Sequence, residues 1–304
     1  MSQDGFIWSG RLGDNEIRKS SSYDFSDFIP AKNLKITVDK EKVLANGTVS
    51  LKDSAKIVSE IKWTLNGEKS GSSERIYKNS MMVLDILANN NWERPVYFAV
   101  TVSHDNFLNL SDYFQMDGVA HRFVPIQTPS ERYGELGRID TEKLYDKMMN
   151  KFRWGNISDP SVYLDETNLR LLTHFRGNFA RLAGELNLEG KKDSAILVLD
   201  RAFEVIPVYQ LSYNYADISF VEQYFSAGAI DKGNELAGKM FETARKELNY
   251  YLSFPKKFAN SLDREQQLRL YTLSSLNRMA KEYEQTELSE KFEKQMQEIM
   301  YFGD

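Results

Sequence analysis

Between Phe179 and Pro207 the apolar residues keep a spacing that few folds accept. Phe179, Leu182, Ala183 and Leu186 fall on one face of a helix, and Gly190 marks a turn. Ala195, Leu199 and Ala202 then fall on one face of a second helix, which Pro207 ends. Ala183 and Ala195 are small where two helix backbones would approach closely, while Leu186 and Leu199 fill the groove beside them. The pattern therefore predicts a tightly crossed helical hairpin.

The order aromatic, Leu, small, large, turn, Ala, large, Ala, Pro matches the tetratricopeptide pattern. A looser copy follows in Phe220, Val221 and Tyr224, the turn at Gly228, and then Gly233, Ala237 and Met240. The extra residues between the copies belong to the tyrosine-rich stretch Val208–Tyr215. A third hairpin is expected from helices near Asp263–Tyr283 and Thr286–Tyr301. Stacked hairpins bury a shared face and leave a surface suited to a peptide or a neighbouring protein.

The part before the hairpins carries mixed signals. Leu34–Val38 and Ile61–Leu65 alternate apolar and polar residues as half-buried strands do, and Asn46-Gly47 and Asn66-Gly67 are turn signals. Asp53–Ile61 suits a short helix, and Ser70-Gly71-Ser72-Ser73 reads as a loop. A helix follows with Ile76, Met82, Val83, Ile86 and Leu87 at helical spacing, ended by Asn89-Asn90-Asn91. Pro95–Val102, nearly continuously apolar, predicts an interior strand buried on both faces. A short helix over Phe107–Met116 and a strand over Val119–Ile126 would complete a crossover unit. The expected fold class is α+β: a small α/β part followed by an all-α, tetratricopeptide-like hairpin array. The expected domains are an α/β domain over 1–126, a linker and connecting helix over 127–160, and the repeat domain over 161–304.

Composition narrows the chemistry. The 304 residues include no cysteine, which excludes a thiol nucleophile, a disulfide scaffold, cysteine-ligated zinc and an iron–sulfur cluster. The net charge of −5 is not gathered into a block, so nucleic acid is not an expected partner. No stretch reaches the ~18 apolar residues of a membrane span. Phe6-Ile7-Trp8 followed by Gly10 and Gly13 reads like a fold entered part-way, so the chain is expected to be a piece of something longer. No nucleotide-cradling, zinc-protease or serine-hydrolase motif occurs, so no catalytic residue, metal or cofactor is expected.

The candidate binding residues are aromatic, with two basic exceptions. Trp92 and Arg94 stand side by side at a strand entrance, an arrangement able to grip a sugar ring or a carboxylate, and His104 follows that strand. Trp154, Tyr163, Tyr209, Tyr213 and Tyr215 would line a glycan or peptide groove. His121 and His174 lack metal-ligand spacing and are expected to be structural.

A series of segments carries a family resemblance. It comprises Asn90–Ala99 (Asn-Asn-Trp-Glu-Arg-Pro-Val-Tyr-Phe-Ala), Asp112–Gln115, Gly118–Pro125, Met148–Gly155 and Tyr163–Glu166. In order and spacing it resembles the C-terminal soluble region of a bacterial polytopic membrane-protein family. The N-terminal half of those proteins looks like a protein O-mannosyltransferase of the multi-span glycosyltransferase type. The resemblance implies a membrane half beyond this sequence that holds the catalytic acids, and a tail facing the periplasm. The function it implies is a non-catalytic accessory domain that docks a protein or glycan acceptor through the helical repeats and packs on its own membrane half. The alternatives are a soluble glycan-acting enzyme using the Arg94 and His104 region, or a pure assembly scaffold.

Overall fold

The computed structural model describes residues 33–65, 68–70, 73–128 and 136–301. The Asn66-Gly67 turn, Gly71-Ser72, the Phe6–Gly13 start and residues 129–135 of the expected linker lie outside them. The chain forms two compact units, Met1–Asp140 and Thr141–Asp304. The first is α+β and the second all-helical, as the sequence predicts.

In the first unit β1 (Asn33–Thr37) pairs antiparallel with β2 (Glu60–Thr64), joined through α1 (Lys40–Ala45) and a 3₁₀ segment at Leu51–Lys56. The alternation predicted for both strands is present: Leu34, Ile36, Ile61 and Trp63 point into the core while their neighbours face solvent. A small hairpin, β3 (Glu68–Ser70) and β4 (Ser73–Arg75), precedes α2 (Lys78–Asn90). Asn91 closes that helix in the left-handed conformation at φ 45°, a geometry asparagine tolerates better than most residues. The buried stripe of α2 is Leu84, Leu87 and Ala88, whereas Met82 and Ile86 face outward.

The second sheet has the order β5-β7-β6-β8. Its strands are β5 (Tyr97–Ala99), β6 (Phe114–Met116), β7 (Ala120–Phe123) and β8 (Arg138–Ile139). Here three expectations are corrected. Pro95–Val102 is not an interior strand: among the described residues β5 is a three-residue edge strand paired only with β7. The chain turns away directly after it, with the Val102 amide donating to the Ala99 carbonyl at 3.0 Å. Only Phe98 of β5 is buried, beneath the rings of Phe107 and Phe114, while the Tyr97 hydroxyl donates to Asp117 at 3.0 Å. Phe107–Met116 is not a helix. It is two 3₁₀ turns, His104–Phe107 and Ser111–Tyr113, running into β6. The expected crossover unit is instead an antiparallel pair, since β6 and β7 form a tight hairpin across Asp117-Gly118-Val119.

The end of the expected linker belongs to this sheet. Strand β8 lies parallel to β6, and Arg138 donates to Gln115 Oε1 at 2.8 Å and to Asp53 at 2.6 Å. Gly137 is required there. Its φ is +78°, and a Cβ would lie 2.9 Å from the Phe114 carbonyl oxygen.

The second unit begins with α3 (Thr141–Asp146), a π-turn at Lys147–Lys151, and then α4 (Glu166–Leu188), which starts on the Asp165 side-chain cap. Helix α5 (Lys192–Val205) returns along α4, and α6 (Ile218–Ser226), α7 (Ile230–Leu252), α8 (Ala259–Glu282) and α9 (Thr286–Tyr301) continue the array. The predicted register is present. Phe179, Leu182, Ala183, Ala195, Leu199 and Ala202 are all fully buried, and Gly190 turns at φ +74°. The looser copy packs likewise, with Phe220, Val221, Tyr224, Gly233, Ala237 and Met240 inside. Because Ala195 is fully buried at the α4–α5 crossing, Ala195→Leu is expected to overpack it and cost about 1–3 kcal/mol. An unchanged urea midpoint in that variant would contradict this register.

Candidate functional site

Within the helical unit the sequence between α5 and α6 has unusual work to do. Residues 206–217 leave one hairpin and enter the next, and the carbonyls at their start have no helical partners. Arg176 supplies them. It stands on the same stripe of α4 as Phe179 and Ala183 and is fully buried. Its guanidinium donates from Nη2 to the carbonyls of Ile206 at 3.1 Å and Leu211 at 2.6 Å, and from Nη1 to Asp217 Oδ2 at 3.0 Å. The cation also lies over the Phe203 ring, 5.3 Å from its centroid.

Asp217 is used twice, since it also accepts the Asn214 backbone amide at 3.0 Å in a capping box that starts α6 through the 3₁₀ turn Tyr215–Asp217. Burial pushes the Asp217 carboxyl above its ordinary pKa and pulls the Arg176 guanidinium below its own. The mutual attraction of the two opposes both shifts. This loop is thus held from beneath by a paired, desolvated charge.

A second loop is tied onto its outer side. Gln210 Nε2 donates to the carbonyls of Asp159 at 2.6 Å and Val162 at 3.3 Å, and the Tyr209 hydroxyl donates to the Ser158 carbonyl. Trp154, at the root of that second loop, is half-buried against Phe179 at 5.5 Å and Phe152 at 6.1 Å. The structure therefore brings the two tyrosine-bearing loops together. Tyr163 is 88% exposed, Tyr209 64% and Tyr215 48%. Tyr213 is half-buried with its ring edge-on to Phe203, and burial raises its pKa. It borders a shallow indentation with Asn214, Met240, Glu247 and Arg269. What stands out is a set of exposed phenol rings on loops and a 3₁₀ turn that side-chain hydrogen bonds fasten.

The candidates of the first unit are placed differently. Trp92 is buried at φ 59°, stacked on Phe123 with centroids 5.5 Å apart, and its Nε1 donates to the Thr37 carbonyl at 3.0 Å. Arg94 is exposed, and its backbone is held by two hydrogen bonds with the Asn90 side chain. His104 is exposed on its own 3₁₀ turn, with its ring 5.1 Å from that of Phe107. His121 is buried in β7, stacked on Phe114, and His174 lies on the outer side of α4. Among the described residues no group of three or more His, Asp or Glu side chains is gathered closely enough to hold a metal ion. Arg176 and Asp217 were missed by reading the sequence. A signal for the arginine exists: a charged residue three positions before Phe179 falls on the apolar stripe, where only a satisfied charge is tolerated.

Residues 11–143 match the family model described as TMEM260-associated domain 2. The part of the chain that matches is similar to a membrane-protein-associated domain, the setting that the resemblance implied. The TMEM260-associated match ends at residue 143, so the hairpins from α4 onward lie outside it. No curated protein and no solved structure matches the chain. No helix among the described residues is long and apolar enough to cross a membrane.

Proposed function

We propose that this chain is a non-catalytic accessory region of a bacterial membrane glycosyltransferase-like protein. In this reading it faces the periplasm, the first unit packs on the membrane half, and the helical hairpins dock an acceptor or partner protein. One observation carries it: a portion similar to a TMEM260-associated domain is joined to a hairpin array, an architecture whose usual use is presenting a recognition surface. The fastened tyrosines support the docking role. Tyrosine offers a large amphipathic contact with few rotatable bonds, and a loop ordered in advance loses little entropy when a partner arrives.

The test uses the full-length protein in its native envelope, with a photo-crosslinking residue at position 163 or 215 and a control at Leu197, which is exposed on α5. Adducts with one envelope protein from 163 and 215, but not from 197, are the expected result. Purified partner should then bind Tyr163→Ala/Tyr215→Ala at least about tenfold more weakly. Equal adducts from all three positions would overturn the docking face. Turnover of a lipid-linked sugar by this chain, abolished by His104→Ala, would overturn the accessory reading and promote an enzyme.

A further inference from the structure

The end of the α7–α8 hairpin has a surface unlike the rest of the helical unit. Burial in α7 stops at Leu248, and the chain then exposes Tyr250, Leu252, Phe254 and Phe258 in succession, Tyr250 at 61%. The aromatic rings touch one another. Tyr250 meets Phe254 edge-on at 5.0 Å, and Phe254 meets Phe258 edge-on at 6.3 Å. Lys257 places its ammonium 4.9 Å from the centre of the Phe258 ring. Tyr251, one position along, is half-buried beside the Arg269 guanidinium at 5.9 Å.

Helix lengths make this end project within its unit. Helix α8 has 24 residues and α9, which returns along it from the opposite end, has 16. About two turns of α8, roughly 12 Å, therefore extend beyond α9. On the other side α7 has 23 residues against 9 in α6.

Charge chooses among the surfaces that would cover such a tip. From Leu248 to Leu262 the sequence has no Asp or Glu, although the chain as a whole carries more acids than bases, and Lys256-Lys257 sits at the apex. Amphipathic rings beside lysines suit the boundary between lipid headgroups and acyl chains, where a phenol or phenyl ring leaves water and a lysine reaches phosphate. A projecting end suits a flat bilayer better than a groove-forming protein contact. The match of residues 11–143 to a membrane-protein-associated domain is in keeping with this.

We propose that the α7–α8 hairpin end is a membrane-interface contact that seats Tyr250, Phe254 and Phe258 at the headgroup level of an anionic bilayer. The contact does not depend on the docking role given to the tyrosine loops. Its binding is weak and salt-sensitive in isolation, because the seated area is small and the local positive charge is low.

The test needs neither an acceptor nor a membrane half. The full chain is mixed with vesicles of phosphatidylcholine alone or with about a third phosphatidylglycerol. Because the sequence lacks cysteine, Phe254→Cys or the control Leu197→Cys takes a single polarity-sensitive dye. Co-sedimentation with the anionic vesicles and a blue shift of the dye at 254, but not at 197, are expected. Tyr250→Ser/Phe254→Ser/Phe258→Ser should weaken binding at least tenfold, and Lys257→Glu severalfold with a flatter salt dependence. These side chains are exposed, so the variants should keep the parent's circular dichroism and unfolding midpoint. The proposal is overturned by failure to bind anionic vesicles, by binding that the triple variant leaves unchanged, or by a dye shift that tracks protein concentration without vesicles. That last result would make the tip a contact between copies of this chain.

Discussion

Arg176→Met is expected to destabilise the helical unit by about 3–5 kcal/mol, because it leaves the Asp217 carboxylate buried without its counter-charge. Methionine keeps much of the packing over Phe203, so the loss is electrostatic and hydrogen-bonding rather than a cavity. The Ile206 and Leu211 carbonyls also lose their donor. The pH dependence has a definite sign. Burial already raises the Asp217 pKa in the parent. Without the guanidinium it rises further, so the folded variant takes up a proton at a higher pH than the folded parent does. The deficit of the variant relative to the parent should therefore shrink as pH falls through the raised value, and be largest at neutral pH and above. Arg176→Met/Asp217→Asn should recover a large part of the loss, since it removes the orphaned charge. Urea unfolding followed by helical circular dichroism at several pH values measures all three effects. A pH-independent deficit below 1 kcal/mol would show that the pair is not the fastening described.

Phe292→Ala is expected to cost about 3–5 kcal/mol and to release α9. Phe292 is almost fully buried, and its ring lies parallel to that of Phe241, with centroids 4.0 Å apart. Besides this ring, the residues of α9 that are buried among those described are Ser289 and Ile299. A helix of 16 residues has little stability in water by itself, so losing its principal anchor should melt it rather than tilt it. Limited proteolysis should then cut within 286–301 while α4 and α5 stay protected. The helical signal should fall by an amount matching one helix. Full protection of α9 in the variant would mean that its ion pair from Glu293 to Lys281 and its remaining contacts suffice.

The hairpin array was legible because its information is local. Ala183, Ala195 and Pro207 each fall within one or two helical turns of the residues that give them meaning, and the 3.6-residue period shows them on one face. The second sheet was less legible for the opposite reason. Its strands are two to four residues long, too short for a period of two to declare itself. In Pro95–Val102 apolar character came from residues with different fates: Phe98 enters the core, Tyr97 bonds Asp117 at the surface, and the chain turns after Ala99. Phe107–Met116 read as a helix because 3₁₀ turns space their apolar residues almost as an α-helix does.

The candidate site divides along the same line. The sequence by itself determined that tyrosines crowd the stretch between two hairpins and that a tryptophan and a tyrosine precede α4, since composition needs no partner to be read. Only the tertiary structure decided that Trp92 faces inward, that Tyr163 and Tyr209 share one fastened pair of loops, and that Arg176 is the fastener. Arg176 and Asp217 lie 41 residues apart in sequence. What makes them a pair is the folding of α5 back along α4, which returns the chain past the arginine and excludes water from both charges. Nothing in a one-dimensional pattern carries that exclusion, because desolvation belongs to the packed volume rather than to either residue.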